Sequence, residues 1–172
     1  MPVLARLEFW FERLLEIIVM LLTSGLALVV LMAVIYRKAG ASFVWYDEVA
    51  SIMLAWLTYY GAALAALKRA HIGFPGVVEA MPPKWRIPAV IVGEVIIIGF
   101  FAVLAWVGWE VLLVLEGSYL ISLPMVSNQF TQSIIPIGAV LFMIAQLLSL
   151  PRTLEEARRG LHHEIPPEIQ DT

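Results

Sequence analysis

The sequence is poor in charge and lacks cysteine altogether. Charged side chains make up 15% of its 172 residues, and histidine occurs three times. Without cysteine, disulfides and thiolate metal or redox centres are excluded. A soluble domain needs more charge to cover its surface, whereas 61% of this chain is hydrophobic. The composition therefore indicates an integral membrane protein, and the net charge of −3 gives no indication of a nucleic-acid partner.

Long runs without charge predict four transmembrane helices. The runs that lack Asp, Glu, Lys, Arg and His cover 17–35, 49–67 and 117–151. A further run, 87–115, is interrupted only by Glu94 and Glu110. A helix crosses the hydrocarbon with about 20 residues. We therefore predict an all-α membrane protein with spans near 14–35, 48–67, 87–115 and 132–150.

Basic residues are distributed unequally between the two sides of these spans. Nine of the 11 lie in the terminal segments and the second loop: Arg6, Arg13, Lys68, Arg69, Lys84, Arg86, Arg152, Arg158 and Arg159. The other side holds Arg37 and Lys38. Positive charge favours the cytoplasm, so both termini are expected there. Tryptophans at the span ends are expected to anchor the chain at the membrane interfaces: Trp10, Trp45, Trp85 and Trp109.

The segments outside the spans predict several further features. Residues 1–13 mix apolar and charged side chains, which predicts a short amphipathic helix on the membrane surface over 3–13, and 76–81 is similar. No cleavable signal peptide is expected, since the first apolar run is too long. Pro151 is expected to end the 14–150 transmembrane domain. In 151–172, Thr153 and Glu156 form a capping-box pattern for a short helix before a flexible tail.

The absence of bases within the spans argues against an enzyme. The three histidines, His71, His162 and His163, all lie outside the predicted spans. Haem and zinc sites, and the general base of an intramembrane serine protease, would need such side chains inside. A self-sufficient transporter is also disfavoured, because Glu94 is the one ionisable residue well within a span.

Two sets of acids leave alternatives open. For Glu94 we favour a structural acid, snorkelling or hydrogen-bonded near the inner interface, over a site role. If it has a role, contact between helices or subunits is favoured over proton relay. Asp47 and Glu48 open the second span, where Asp47 can cap free backbone N–H groups and both suit the positive helix end. Arg37 and Lys38 are alternative partners within the chain.

Small residues recur at helical spacing along the second span. They are Ser51, Ala55, Thr58, Ala62 and Ala66, with a second pair at Gly61 and Ala65. Small residues let helix backbones approach closely in lipid. The stripe fits packing within the chain or against another subunit, and both remain open. The loop before the fourth span is unusually apolar for an exposed segment, which favours contact with protein or lipid.

Together these features resemble the small membrane subunit of a tripartite ATP-independent periplasmic (TRAP) transporter. The matching residues are Trp45 with Asp47 and Glu48, then Gly61, Ala62 and Ala63, then His71 and Ile72, and finally Pro136 and Gly138 in IPIG. Their order and spacing carry the resemblance, which covers 14–150.

The resemblance implies an accessory role in the inner membrane of a bacterium or archaeon. It implies a large membrane subunit that holds the substrate and coupling sodium ions, and a periplasmic binding protein that delivers a carboxylate. The small subunit would act as a static scaffold, with no cofactor of its own and with membrane lipids around it. It also makes a contact between Asp47 or Glu48 and either partner an expectation. The alternative function is a non-transporting anchor subunit of another membrane complex.

Overall fold

The computed structural model describes residues 2–41, 43–68 and 81–159. Within these ranges the long helices are α1 (Pro2–Lys38), α2 (Tyr46–Leu67), α3 (Pro83–Val114) and α5 (Ile134–Arg159), and α4 (Asn128–Gln132) is short. Each long helix has the length and apolar composition to cross a membrane. This confirms the all-α prediction of four spans. His71, nearly all of 76–81 and the tail after residue 159 lie outside the described residues.

Helix α5 lies at the centre of the packing. It contacts α2 on one side and α3 on the other, and α1 packs on α2. The chain buries 39% of the apolar stretch of α5, but only 6% of those of α1 and α3. The core joins α2 and α5 through Ala66, Leu67, Phe142 and Ala145. Consequently α1 and α3 leave most of their apolar surface facing outward.

Two glycines set the close approach of the helices to α5. A Cβ atom on Gly138 would lie 2.7 Å from the Tyr59 Cβ atom, so no side chain fits between α2 and α5 there. A Cβ atom on Gly108 would lie 2.9 Å from the Ile135 Cγ2 atom and 3.1 Å from the Pro136 backbone nitrogen. The Tyr59 side chain therefore packs directly on the α5 backbone at Gly138, and the backbones of α3 and α5 approach closely at Gly108.

Ion pairs gather at one end of the bundle, which we call the terminal end. The Lys68 Nζ atom lies 2.5 Å from Glu16 Oε1 and 3.3 Å from Glu12 Oε1, joining α2 to α1. Hydrogen bonds to Glu16 and then to Glu12 raise the pKa of Lys68 above its ordinary value. Arg152 on α5 lies 2.6 Å from the Glu8 carboxylate. We call the opposite end, with segments 39–45 and 115–127, the loop end.

Residues 3–13 do not form a separate helix. The structure places them in α1, which continues without interruption through the span. Glu8 is 7% exposed and Leu15 is fully buried, and Phe11 packs against the α2–α5 core. These contacts hold the first turns against the bundle, so the amphipathic sequence prolongs α1. The prediction of a separate helix was wrong, and the location of 3–13 at the membrane surface stays a prediction.

Pro151 does not end the last helix, contrary to the sequence-based expectation. Helix α5 runs through it to Arg159, so Thr153 lies within the helix and caps no new one. The Thr153 hydroxyl donates to the Ser149 carbonyl at 3.2 Å, and the Ser149 hydroxyl donates to the Gln146 carbonyl at 3.0 Å. Pro151 has no N–H to donate to the Leu147 carbonyl, and these two hydroxyl groups bond other carbonyls, so they do not account for the continuation of the helix.

Candidate subunit interface

Glu48 connects the start of α2 to the distant loop before α4. Its carboxylate accepts hydrogen bonds from the Ser122 hydroxyl and from the Ser122 backbone N–H, the latter at 3.0 Å. The N-cap residue of α2 is Trp45, and no side chain caps this end. The cap predicted for Asp47 is therefore wrong, because Asp47 is already the second helical residue. Both acids still lie in the first turn, where the helix dipole favours them.

The described contacts leave the Asp47 carboxylate facing outward. Asp47 is exposed, and the ion pairs within 2–41, 43–68 and 81–159 do not involve it, Arg37 or Lys38. The sequence also allowed Arg37 or Lys38 to pair with these acids. Among the described residues the structure shows neither pairing, since Glu48 binds Ser122 instead. Of the two adjacent acids, one is used within the chain and the other is accessible to a partner.

The loop before α4 forms an ordered hairpin over 118–127. An antiparallel bridge pairs Tyr119 with Ser127, and the Leu120 N–H donates to the Val126 carbonyl at 3.0 Å. The hairpin is held against the bundle while Ile121 and Met125 project from it, 93% and 96% exposed. Two large apolar side chains therefore stand outward at the loop end on a fixed support.

A tryptophan on α2 fixes the segment that follows this hairpin. The Trp56 indole N–H donates to the Thr131 carbonyl at 3.0 Å, and its ring lies against Phe130 with centroids 5.2 Å apart. Sequence reasoning missed Ser122 and Thr131 as partners of α2. The sequence contains little evidence for these contacts, because serine and threonine in an apolar loop do not indicate which helix they contact.

The small-residue stripe of α2 divides between two environments. Ala66 is buried in the core and Ala62 packs against it, whereas Ser51, Ala55 and Thr58 are exposed. A Cβ atom on Gly61 would meet no other atom within 4 Å. We call Ser51, Ala55, Thr58 and Gly61 the open α2 face. Part of the stripe thus serves packing within the chain, and the rest faces outward.

The polar groups of the open α2 face are satisfied by its own backbone. The Ser51 hydroxyl donates to the Asp47 carbonyl and the Thr58 hydroxyl to the Leu54 carbonyl, both at 2.8 Å. Such hydroxyl groups need no further donor or acceptor partner to lie in hydrocarbon. The face is therefore compatible with lipid and with the close approach of another helix.

Glu94 is hydrogen-bonded across the α3–α5 contact. It is 8% exposed, and the Gln146 amide nitrogen donates to its two carboxylate oxygens at 3.0 and 2.8 Å. Glu94 is thus hydrogen-bonded between α3 and α5, and its role stays a prediction. The partner was missed, although Gln146 is the only amide in the apolar run 134–150 and gave a usable signal.

The remaining predicted residues fall into two groups. Pro136 and Gly138 are buried between helices, where they shape packing within the chain. The interface tryptophans Trp10, Trp85 and Trp109 are exposed, as a lipid-facing anchor requires.

A layer of apolar helices with locally satisfied polar groups and open helix faces is typical of a multi-pass subunit of a membrane complex. The family model described as tripartite ATP-independent periplasmic transporters, DctQ component, matches residues 26–156. The chain belongs to this family of small TRAP transporter subunits, which confirms the resemblance seen in the sequence. A search of curated proteins found no match.

Membership of the family establishes the general setting. The DctQ component is a transporter component, not an enzyme family. It belongs to tripartite transporters that also contain a large membrane subunit and a binding protein. Together with the four apolar helices, this makes the chain a multi-pass protein of the inner membrane.

Proposed function

We propose that this chain is the stationary scaffold for the large, elevator-type subunit of a TRAP transporter. In this proposal the large subunit binds the coupling sodium ions and the substrate, which is a C4-dicarboxylate, a sialic acid or another organic or sugar acid. A periplasmic binding protein delivers that substrate. The observation that carries the proposal is the open α2 face, where small, locally satisfied residues leave room for another helix.

The arrangement of the helices suits a support rather than a moving element. The central helix α5 is fixed to α2 and α3 by close contacts at Gly138 and Gly108, and ion pairs at Glu8 and Lys68 tie α1 to the same bundle. Interdigitated packing of this kind resists sliding between helices. A rigid layer with outward apolar faces can hold a mobile partner in place.

The loop end is proposed to face the periplasm, with both termini in the cytoplasm. The excess of Lys and Arg at the terminal end supports this orientation. The loop end then presents Asp47 and the exposed hairpin residues Ile121 and Met125 to the side from which the binding protein arrives. We propose that Asp47, rather than Glu48, is available for a contact with either partner.

Co-purification with the large subunit tests the scaffold surface. A larger side chain on the open α2 face, Ala55→Leu, is expected to reduce recovery of the large subunit with a tagged small subunit. Ala102→Leu is the matched control, since Ala102 is exposed on α3. Ala62→Leu is less informative, because Ala62 packs against the chain's own core. Full recovery with Ala55→Leu would show that this face does not meet the large subunit.

A further inference from the structure

A cavity of about 330 Å³ opens between α2, α3 and α5. One part of its wall is apolar and includes Phe101 and Phe142, whose rings stack with centroids 3.8 Å apart. The other part is polar and is formed by Glu94, Gln146, Ser149 and Thr153. The family assignment gives no role to this cavity.

The polar wall offers mainly acceptors, because most of its donors are already used within the chain. The Gln146 amide nitrogen donates to the Glu94 carboxylate and lies within hydrogen-bonding distance of both of its oxygens. The Ser149 hydroxyl donates to the Gln146 carbonyl, and the Thr153 hydroxyl donates to the Ser149 carbonyl. The carboxylate oxygens and the two hydroxyl oxygens keep lone pairs for further hydrogen bonds. The chemistry of the wall therefore selects a ligand that is rich in donors.

The charge of Glu94 makes a cationic donor the fitting ligand. A carboxylate that is 8% exposed within a membrane span is costly unless a positive group compensates it. Its described partner is the neutral amide of Gln146. Two basic residues of the nearby terminal end bind other acids, since Lys68 pairs with Glu16 and Arg152 with Glu8.

We propose that this cavity binds the primary ammonium group of an aminophospholipid such as phosphatidylethanolamine. A primary ammonium offers three N–H donors, which matches a wall of carboxylate and hydroxyl oxygens. A choline headgroup carries the same charge but has no N–H donor. The site therefore distinguishes two abundant zwitterionic headgroups by their hydrogen-bond donors. This inference does not depend on the proposed scaffold role.

The position of the cavity favours a lipid as the source of the ammonium group. Its polar wall follows α5 from Gln146 to Thr153, about 10 Å at 1.5 Å per residue. Thr153 directly follows Arg152, so the wall leads towards the charged end of the bundle, where headgroups lie. Ile97 also lines the cavity and is 37% exposed. Together with Phe101 it provides an apolar surface for the acyl chains.

Lipid titration of the full-length chain tests the site. Detergent-solubilised protein is titrated with dioleoyl phosphatidylethanolamine or dioleoyl phosphatidylcholine, and bound lipid is counted by native mass spectrometry. Because charge-assisted hydrogen bonds are lost with choline, wild type is expected to bind the ethanolamine lipid about tenfold more tightly. Glu94→Gln is expected to remove this preference. Glu110→Gln, which neutralises an exposed acid on the same helix, is expected to keep it.

Several results would overturn the proposal. Equal binding of the two lipids by the wild-type protein would contradict it. This comparison uses no variant, so misfolding of a variant cannot affect it. An unchanged preference in folded Glu94→Gln, verified by circular dichroism and melting temperature, would exclude the cavity as the site. If Glu110→Gln lost the preference for the ethanolamine lipid as fully as Glu94→Gln, the preference would depend on the net charge of the protein and not on the cavity. Equal binding in the purified transporter complex would indicate that a protein side chain, and not lipid, occupies the cavity.

Discussion

Glu48 and Ser122 are joined by two hydrogen bonds, although 74 residues separate them in the chain. The contact fixes the 118–127 hairpin to the first turn of α2. The Glu48 carboxylate thereby accepts two hydrogen bonds. An acid at the end of a span thus holds the hairpin against α2, a contact that we call the latch. Its neighbour Asp47 makes no such contact within the described part of the chain. A substitution of Asp47 is therefore a control for the same substitution of Glu48.

Removing the Glu48 carboxylate is expected to loosen the hairpin. In Glu48→Ala the Ser122 N–H loses its acceptor, so amide hydrogen exchange over 118–127 should become faster while exchange in the helices stays unchanged. Asp47→Ala is the matched control and should leave hairpin exchange at the wild-type rate. Equal protection of the hairpin in wild type and Glu48→Ala would show that the bridge between Tyr119 and Ser127 suffices without the latch.

Alanine at either crossing glycine is expected to separate the helices. Gly138→Ala forces a methyl group against Tyr59, and Gly108→Ala forces one against Ile135 and the Pro136 backbone. Overpacking of this kind typically costs about 1–3 kcal/mol, measurable as a lower midpoint of denaturant-induced unfolding in detergent. Gly99→Ala on α3 meets no neighbour and should be tolerated. A loss in Gly99→Ala as large as in Gly138→Ala would contradict the packing argument.

The indole hydrogen bond of Trp56 should contribute to stability. Trp56→Phe keeps an aromatic ring near Phe130 but leaves the Thr131 carbonyl without its indole donor. The expected loss is about 1 kcal/mol in the free energy of unfolding. Trp106→Phe provides the control, because Trp106 is exposed on α3 and should change stability little. Indistinguishable losses for the two substitutions would show that the hydrogen bond adds nothing.

The Lys68 ion pairs predict a specific pH dependence. Because the folded state raises the pKa of Lys68, the stabilisation is complete below the ordinary lysine value of about 10.4 and is lost as pH rises through the folded value. Lys68→Gln should therefore lower the melting temperature at pH 7, and the difference from wild type should shrink as the pH rises beyond the ordinary lysine value. Lys38→Gln, at the other end of α1, should show no such pattern. A difference that stays constant with pH would rule out the ion pairs as its cause.

The spans could be predicted from the sequence because charge is costly in hydrocarbon, and the predicted spans 48–67 and 87–115 correspond closely to α2 and α3. The helix ends could not. The sequence around residue 13 turns polar at the point where the span was expected to begin, yet Glu8 is buried by pairing with Arg152 from the opposite end of the chain. A proline inside a helix usually ends or kinks it, yet α5 continues through Pro151 to Arg159, which the local sequence does not indicate.

The candidate interface could be predicted from the sequence only in part, because local patterns do not show which helices pack together. A stripe of small residues on α2 follows from helical spacing alone, but its division into buried Ala66 and exposed Ala55 depends on where α5 packs. Likewise, the intramembrane acid Glu94 was evident from the sequence, whereas its pairing with Gln146 requires the α3–α5 crossing. Local periodicity identifies the faces of a helix, and long-range packing decides which of them remain open.

Uptake by the reconstituted transporter tests the scaffold proposal most directly. Proteoliposomes containing the large subunit, with or without this chain, are supplied with the binding protein, its carboxylate substrate and an inward sodium gradient. The scaffold role predicts uptake at full rate only when this chain is present, and reduced uptake with Ala55→Leu but not with Ala102→Leu. Full-rate uptake by the large subunit without this chain would contradict it.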